Sequence, residues 1–245
     1  MTRVKICGCR SVEQALAAAE AGADFVGMVF AESRRKVSLE DASEIVRALG
    51  APLSELEMPS PPSLFRTDAT DLRAWFDHGA SALDRLIQRK RPLTVGVFAN
   101  NDPEEINEIV DECGIDLVQL SGGEPWSACL LINRQVIKVL HVRDADTHAS
   151  AIARAETGSA LAVLLDRAGD AAYGGAGLPL DLRTANAIAA TMPVWLAGGL
   201  TPDNVVEAIK TVQPWCVDVS SGVETDGVKD LAKIRAFVTA AKGAT

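Results

Sequence analysis

Short, almost wholly apolar runs recur along this chain at residues 4–7, 24–30, 93–98, 117–120, 136–140, 160–165, 194–197 and 216–219, each followed by a stretch with helical character. A strand that reads as a continuous apolar run is buried on both faces, which is the condition of a parallel sheet covered by helices. Eight such strand–helix repeats are the count of a closed TIM (β/α)8 barrel, and 245 residues suit one such domain. A doubly wound open sheet is the alternative, but no G-x-G-x-x-G follows an early strand to support it.

Local signals place the helices. Ser11 is an N-cap residue ahead of Val12, Ala15, Leu16 and Ala19 at helical spacing, and Gly22 closes that helix. Ser38, with Asp41 three residues on, opens a second helix that runs to Leu49. Pro103 after Asp102 suits a first helical position. Further helices are expected over residues 124–133, 144–156, 181–190 and 227–242, and one starting at Thr201-Pro202.

Residues 50–91 break the rhythm. Pro52, Pro59, Pro61 and Pro62 forbid regular structure early in the segment. Residues 71–90 then read as one amphipathic helix, with Leu72, Trp75, Phe76, Leu83, Leu86 and Ile87 on its apolar side and Gly79 as a weak point. The segment is too short to bury a core alone and is expected to be an insertion within the barrel, between its second helix and third strand. It joins a helix to a strand, so it belongs on the face away from the strand-to-helix loops. Its apolar side needs a cover, from the outer helices or from another subunit.

Composition narrows the partners. A formal net charge of −9 argues against nucleic acid or an anionic membrane as the main partner, while leaving room for a local basic pocket that holds a small anion. The cysteines Cys7, Cys9, Cys113, Cys129 and Cys216 are odd in number and lack zinc-like spacing, which points to reduced thiols in a cytoplasmic protein. No apolar run approaches the length of a membrane span, and Arg3 and Lys5 lead into a strand rather than an apolar signal region.

In a barrel the strand-to-helix loops form the active face. Cys7 ends the first strand and Asp166 ends the sixth, so a thiol and an acid face each other across the mouth, a plausible acid/base couple for moving a proton beside a carbonyl. Their plain alternatives are a small buried hydrophobe and a capping carboxylate. Arg35, after the second strand, can grip a carboxylate as a planar fork, although most single arginines are surface charges. Gly198-Gly199 follow the seventh strand and Ser220-Ser221-Gly222 the eighth, the usual phosphate cradle of this fold; Gly174, Gly175 and Gly177 can close a third side. Side chains alternate along a strand, and closure makes the first and last strands neighbours. Lys5 and Asp218 are therefore expected to meet inside the barrel as a buried ion pair.

Several stretches, taken together and in order, resemble the phosphoribosylanthranilate isomerase family of tryptophan biosynthesis. They are Val4-Lys5-Ile6-Cys7-Gly8, Ser33-Arg34-Arg35, Val118-Gln119-Leu120 with Gly122, Leu165-Asp166, Tyr173-Gly174-Gly175-Ala176-Gly177, Ala197-Gly198-Gly199 and Asp218-Val219-Ser220-Ser221-Gly222-Val223-Glu224. The resemblance implies an Amadori rearrangement of a phosphorylated sugar–anthranilate adduct, with no cofactor and no metal. It implies Asp166 as the general acid, Cys7 as the base, Arg35 on the anthranilate carboxylate and the glycine loops on the phosphate. Two positions depart from the family pattern: Ser121 stands where a histidine is common, and Cys9 where an aliphatic residue is usual. Another phosphate-binding isomerase or epimerase, or a barrel that binds phosphate without turnover and acts as an assembly partner, are the rival readings. A metal-dependent epimerase calls for histidines, and only His78, His141 and His148 are present. The sequence leaves the oligomeric state open.

Overall fold

The computed structural model describes residues 1–53, 69–168 and 180–244. Eight parallel strands close into a barrel in sequence order: β1 (Arg3–Cys7), β2 (Phe25–Val29), β3 (Leu93–Phe98), β4 (Leu117–Leu120), β5 (Gln135–Val142), β6 (Ala162–Arg167), β7 (Val194–Leu196) and β8 (Cys216–Val219), with β8 paired back onto β1. Around it lie α1 (Val12–Ala21), α2 (Leu39–Leu49), α3 (Ala69–Arg89), α4 (Pro103–Cys113), α5 (His148–Ile152), α6 (Leu182–Ala189), α7 (Val205–Val212) and α8 (Leu231–Gly243).

The caps read from the sequence hold the helix starts. The Ser11 hydroxyl accepts from the Gln14 N–H, and the Ser38 hydroxyl accepts from the Asp41 N–H at 3.0 Å while donating to the Asp41 carboxylate at 2.7 Å. Asp102 caps α4 ahead of Pro103. Elsewhere the expected helices are shorter. Residues 126–131 form only a 3₁₀ helix, and α5 keeps five residues, because Pro125 and the Asp146–Thr147 turn delay their starts. Asn204, not Thr201, stands at the N-cap of α7. The last helix, expected from residue 227, starts later: residues 224–229 form a small hairpin, β9 (Glu224–Thr225) with β10 (Val228–Lys229), and Asp230 caps α8 behind it.

Two apolar layers result. Val4, Ile6, Val26 and Met28 point outward against the helices, while Cys7, Phe25, Val95, Leu164 and Trp195 belong to an inner cluster. The expected ion pair fills the lumen: the Lys5 ammonium, fully buried, lies 3.0 Å from the Asp218 carboxylate, its register partner on β8. It also donates to the Gln119 side-chain carbonyl at 2.9 Å.

The apolar side of α3 is divided between the two layers: Leu72 and Phe76, with Trp75 beside them, belong to the outer one. Ala82, Leu83, Leu86 and Ile87 join the inner cluster with Phe25, Leu93, Leu161 and Trp195. Trp75 donates to the Ala160 carbonyl at 2.7 Å, and Arg3 to Asp84 at 2.6 Å. These partners sit at the N-terminal ends of the strands, so α3 runs across the mouth opposite the strand-to-helix loops. Asp116 ties both ends of the segment to the barrel, accepting from the Leu53 N–H at 3.0 Å and from Lys90 at 2.7 Å. Gly79 lets the helix approach: a Cβ there would lie 1.9 Å from the Leu161 carbonyl oxygen. Gly79→Ala is therefore expected to cost about 1–3 kcal/mol, the usual range for overpacking. Urea unfolding checks it, and an alanine variant as stable as the parent shows that α3 is not pressed on β6.

Candidate active site

At the C-terminal mouth of the barrel, Cys7, Arg35, Asp166, Gly198, Gly199, Ser220 and Ser221 line one cavity, walled below by Val29, Val97, Val139 and Leu164. Seven of the expected site residues therefore converge. Gly222 stands beside them in the 3₁₀ turn after β8, where a Cβ would come 1.8 Å from the Leu200 carbonyl oxygen; only glycine lets the loops after β7 and β8 touch. Gly174, Gly175 and Gly177 lie outside the described residues.

The acid and the thiol occupy different environments. Burial pushes the Asp166 carboxyl up to about 6, with nearby His141 opposing the rise and Asp218 adding to it. One of its oxygens accepts from the Arg167 N–H at 2.9 Å. Such a carboxyl carries a usable proton near neutrality. Burial also pushes the Cys7 thiol above its ordinary value, while Lys5 pulls it back. Cys9 lies in the outer layer against the helices, not in the cavity, and burial, opposed by Lys229, pushes its thiol up to about 12.

Arg35 is 8% exposed and holds its place through Glu224, which accepts from its Nε at 2.7 Å and from its Nη2 at 3.2 Å. One edge of the guanidinium is thus occupied, while Arg35 also lines the cavity. Glu224 further accepts from Arg34 and from Lys229, each at 2.7 Å. Burial works against the Glu224 charge, but the bonds from Arg35 and Lys229 prevail and hold its carboxyl down at about 2. Lys229 also donates to the Ser220 carbonyl at 2.9 Å, joining the arginine end of the cavity to the glycine loops. Sequence reasoning missed Lys229 and the role of Glu224; the one available signal was the acidic residue closing the Asp218–Glu224 motif. It also missed Gln119, which bridges Lys5 and the Ser121 hydroxyl. His141, on the adjacent β5, reaches the backbone of Ser121: its Nε2 lies 2.9 Å from the Ser121 carbonyl oxygen.

Among the described residues no cluster of His, Cys, Asp and Glu could hold a metal ion, and no helix is long and apolar enough to cross a membrane. Residues 62–240 match a family model described as N-(5'-phosphoribosyl)anthranilate (PRA) isomerase. The chain is 41% identical over 249 residues to the N-(5'-phosphoribosyl)anthranilate isomerase of Dehalococcoides mccartyi, covering 100% of this chain and 97% of that one. It is also 41% identical to the multifunctional tryptophan biosynthesis protein of Phycomyces blakesleeanus, across 98% of this chain and 32% of that longer protein. The solved phosphoribosyl anthranilate isomerase of Thermotoga maritima superimposes with a TM-score of 0.73 at 34% identity, covering 99% of this chain and 100% of that one. A phosphoribosyl anthranilate isomerase in complex with reduced 1-(o-carboxyphenylamino)-1-deoxyribulose 5-phosphate matches at a TM-score of 0.70 and 32% identity, over 99% of this chain and 100% of that one.

Proposed function

Since the chain belongs to the N-(5'-phosphoribosyl)anthranilate isomerase family, and with it to tryptophan biosynthesis, we propose how its own residues carry the Amadori rearrangement of N-(5'-phosphoribosyl)anthranilate. The observation that carries the assignment is the opposition of Cys7 and Asp166 in one cavity, with Asp166 raised to about 6. Asp166 gives its proton to the furanose ring oxygen. The C1–O bond breaks as the anthranilate nitrogen lone pair forms a C=N bond, giving an open-chain Schiff base. The Cys7 thiolate removes the C2 proton, and the released electron pair neutralises the iminium as an enolamine. That enolamine tautomerises to 1-(o-carboxyphenylamino)-1-deoxyribulose 5-phosphate.

The two ends of the substrate are held apart from the chemistry. The backbone N–H groups of Gly198, Gly199, Ser221 and Gly222 take the phosphate. The free edge of Arg35 takes the anthranilate carboxylate. Arg35→Lys keeps a charge but loses the fork, and with it the bidentate bond to Glu224. It is expected to raise KM by about tenfold, on the order of one charge-assisted hydrogen bond, while inhibition by inorganic phosphate stays as in the parent. Equal loss of phosphate inhibition assigns Arg35 to the phosphate instead. Purified protein assayed with freshly formed N-(5'-phosphoribosyl)anthranilate tests the activity itself, and absence of turnover overturns it.

The substrate is a phosphorylated small molecule. Residues 50–91 form an insertion within a single barrel domain, on the face opposite the chemistry; the contacts of α3 with Arg3, Ala160 and Leu161 at the far strand ends support this. The five free cysteines support a cytoplasmic location.

A further inference from the structure

We propose that Lys5 and Asp218 are positioning residues that set, in opposite directions, how readily Cys7 forms a thiolate. The inference rests on Cys7 being the base, and its test reads the thiol directly. Lys5 and Cys7 are on the same face of β1, two residues apart. A Cβ placed on Gly27 of the adjacent strand would lie 3.1 Å from both the Cys7 sulfur and Lys5 Cε, so the sulfur and the lysine stem converge where β2 carries no side chain. The ammonium has no freedom to move away. It is fully buried and donates at 2.9–3.1 Å to Gln119 and to both Asp218 oxygens.

The remaining charged or titratable groups around Cys7 are Lys229 on β10, Cys9, and the cavity-lining Glu32, Arg35 and Asp166. None shares the lumen beneath the sulfur with it as Lys5 and Asp218 do. Burial opposes the thiolate, Lys5 favours it and Asp218 disfavours it. Burial alone would also lower the Lys5 pKa, but Asp218 and Cys7 outweigh it, and the ammonium stays charged through the working range. Asp218 therefore has two effects: it keeps Lys5 protonated, and it holds the ammonium as its own counter-ion so that the sulfur receives only part of its field. A thiol arranged this way stays protonated at rest, which protects it from adventitious oxidation.

Iodoacetamide alkylation of Cys7, followed by peptide mass mapping across a pH series, tests this in the full-length protein. Lys5→Met is expected to move the alkylation midpoint upward, slowing labelling by about tenfold or more below it, since one pKa unit is a tenfold change in thiolate. Asp218→Asn, which keeps the side-chain shape, is expected to move the midpoint downward, because the thiolate then becomes the counter-ion of Lys5. If Lys5→Met does not fold, Asp218→Asn decides alone. Midpoints unchanged, or displaced in the same direction by both variants, overturn the inference. A change in kcat/KM without these displacements does so too, since it reports a structural role only. If the midpoints move as expected but Cys7→Ser retains activity, the inference stands and the base assignment fails.

Discussion

Cys7→Ser is expected to leave the fold intact and to lower kcat/KM by about 10²–10⁴-fold, the usual range for loss of a general base. The side chain is small, 7% exposed, and held between strands whose register the substitution leaves alone. A serine hydroxyl fits the same space next to Gly27. The chemistry does not survive, because a hydroxyl gives up its proton far less readily than a thiol, and the Lys5 ammonium cannot make up that difference. Substrate affinity should change little, since neither the phosphate loops nor Arg35 depends on Cys7. The loss is therefore expected in kcat with KM nearly constant, the pattern of an interaction made only in the transition state. Retention of more than a third of the parent kcat removes Cys7 from the base role.

Asp166→Asn is expected to be as damaging, again by about 10²–10⁴-fold in kcat/KM. An amide occupies the same volume and can still accept from the Arg167 N–H. What it cannot do is hand a proton to the ring oxygen, so the furanose stays closed and Cys7 has no Schiff base to act on. Stability should hold or rise slightly, because a carboxylate that burial disfavours is replaced by a neutral group. The sign follows from the raised pKa. A group whose folded pKa lies above its unfolded value stabilises the protein below the unfolded pKa, and that stability is lost as the pH rises through about 6. Above that pH the parent carries a cost that Asp166→Asn relieves. An Asp166→Asn enzyme within a few-fold of the parent shows that the acid lies elsewhere.

Much of this was legible in the sequence because the signals are local and physical. The eight apolar runs had to be buried on both faces, and a closed barrel satisfies that without exposed edges. Period-two alternation on β1 and β8 was enough to bring Lys5 and Asp218 together. Cys7 and Asp166 could be found because the ends of barrel strands are fixed points. What escaped depended on contacts between segments distant in sequence. Glu224 and Lys229 act on Arg35 through a hairpin that was not foreseen, because the last helix was expected to start at Gly227. The cover for α3 was expected from the outer helices or another subunit, and Leu72 and Phe76 do pack in the outer layer. What the sequence did not show is that Gly79 also lets the helix approach Leu161 at the barrel floor. Ser121 stands where the family commonly has a histidine, and only the pairing of β4 with β5 brings His141 to its backbone carbonyl.

The pH dependence of kcat/KM, measured on the parent and on Asp166→Asn, tests the acid–base assignment most directly. The reacting form has its proton on Asp166 and a thiolate at Cys7, one of two forms of the enzyme that carry a single proton between these groups. In the parent, kcat/KM should rise with pH to a limb at about 6, where Asp166 titrates, and then stay level until the Cys7 thiol ionises above its ordinary range. In Asp166→Asn the limb at about 6 should be gone, and the residual activity should climb steadily with pH as Cys7 alone titrates. An unchanged limb near 6 in Asp166→Asn would contradict the assignment, because the group that titrates there would then not be Asp166.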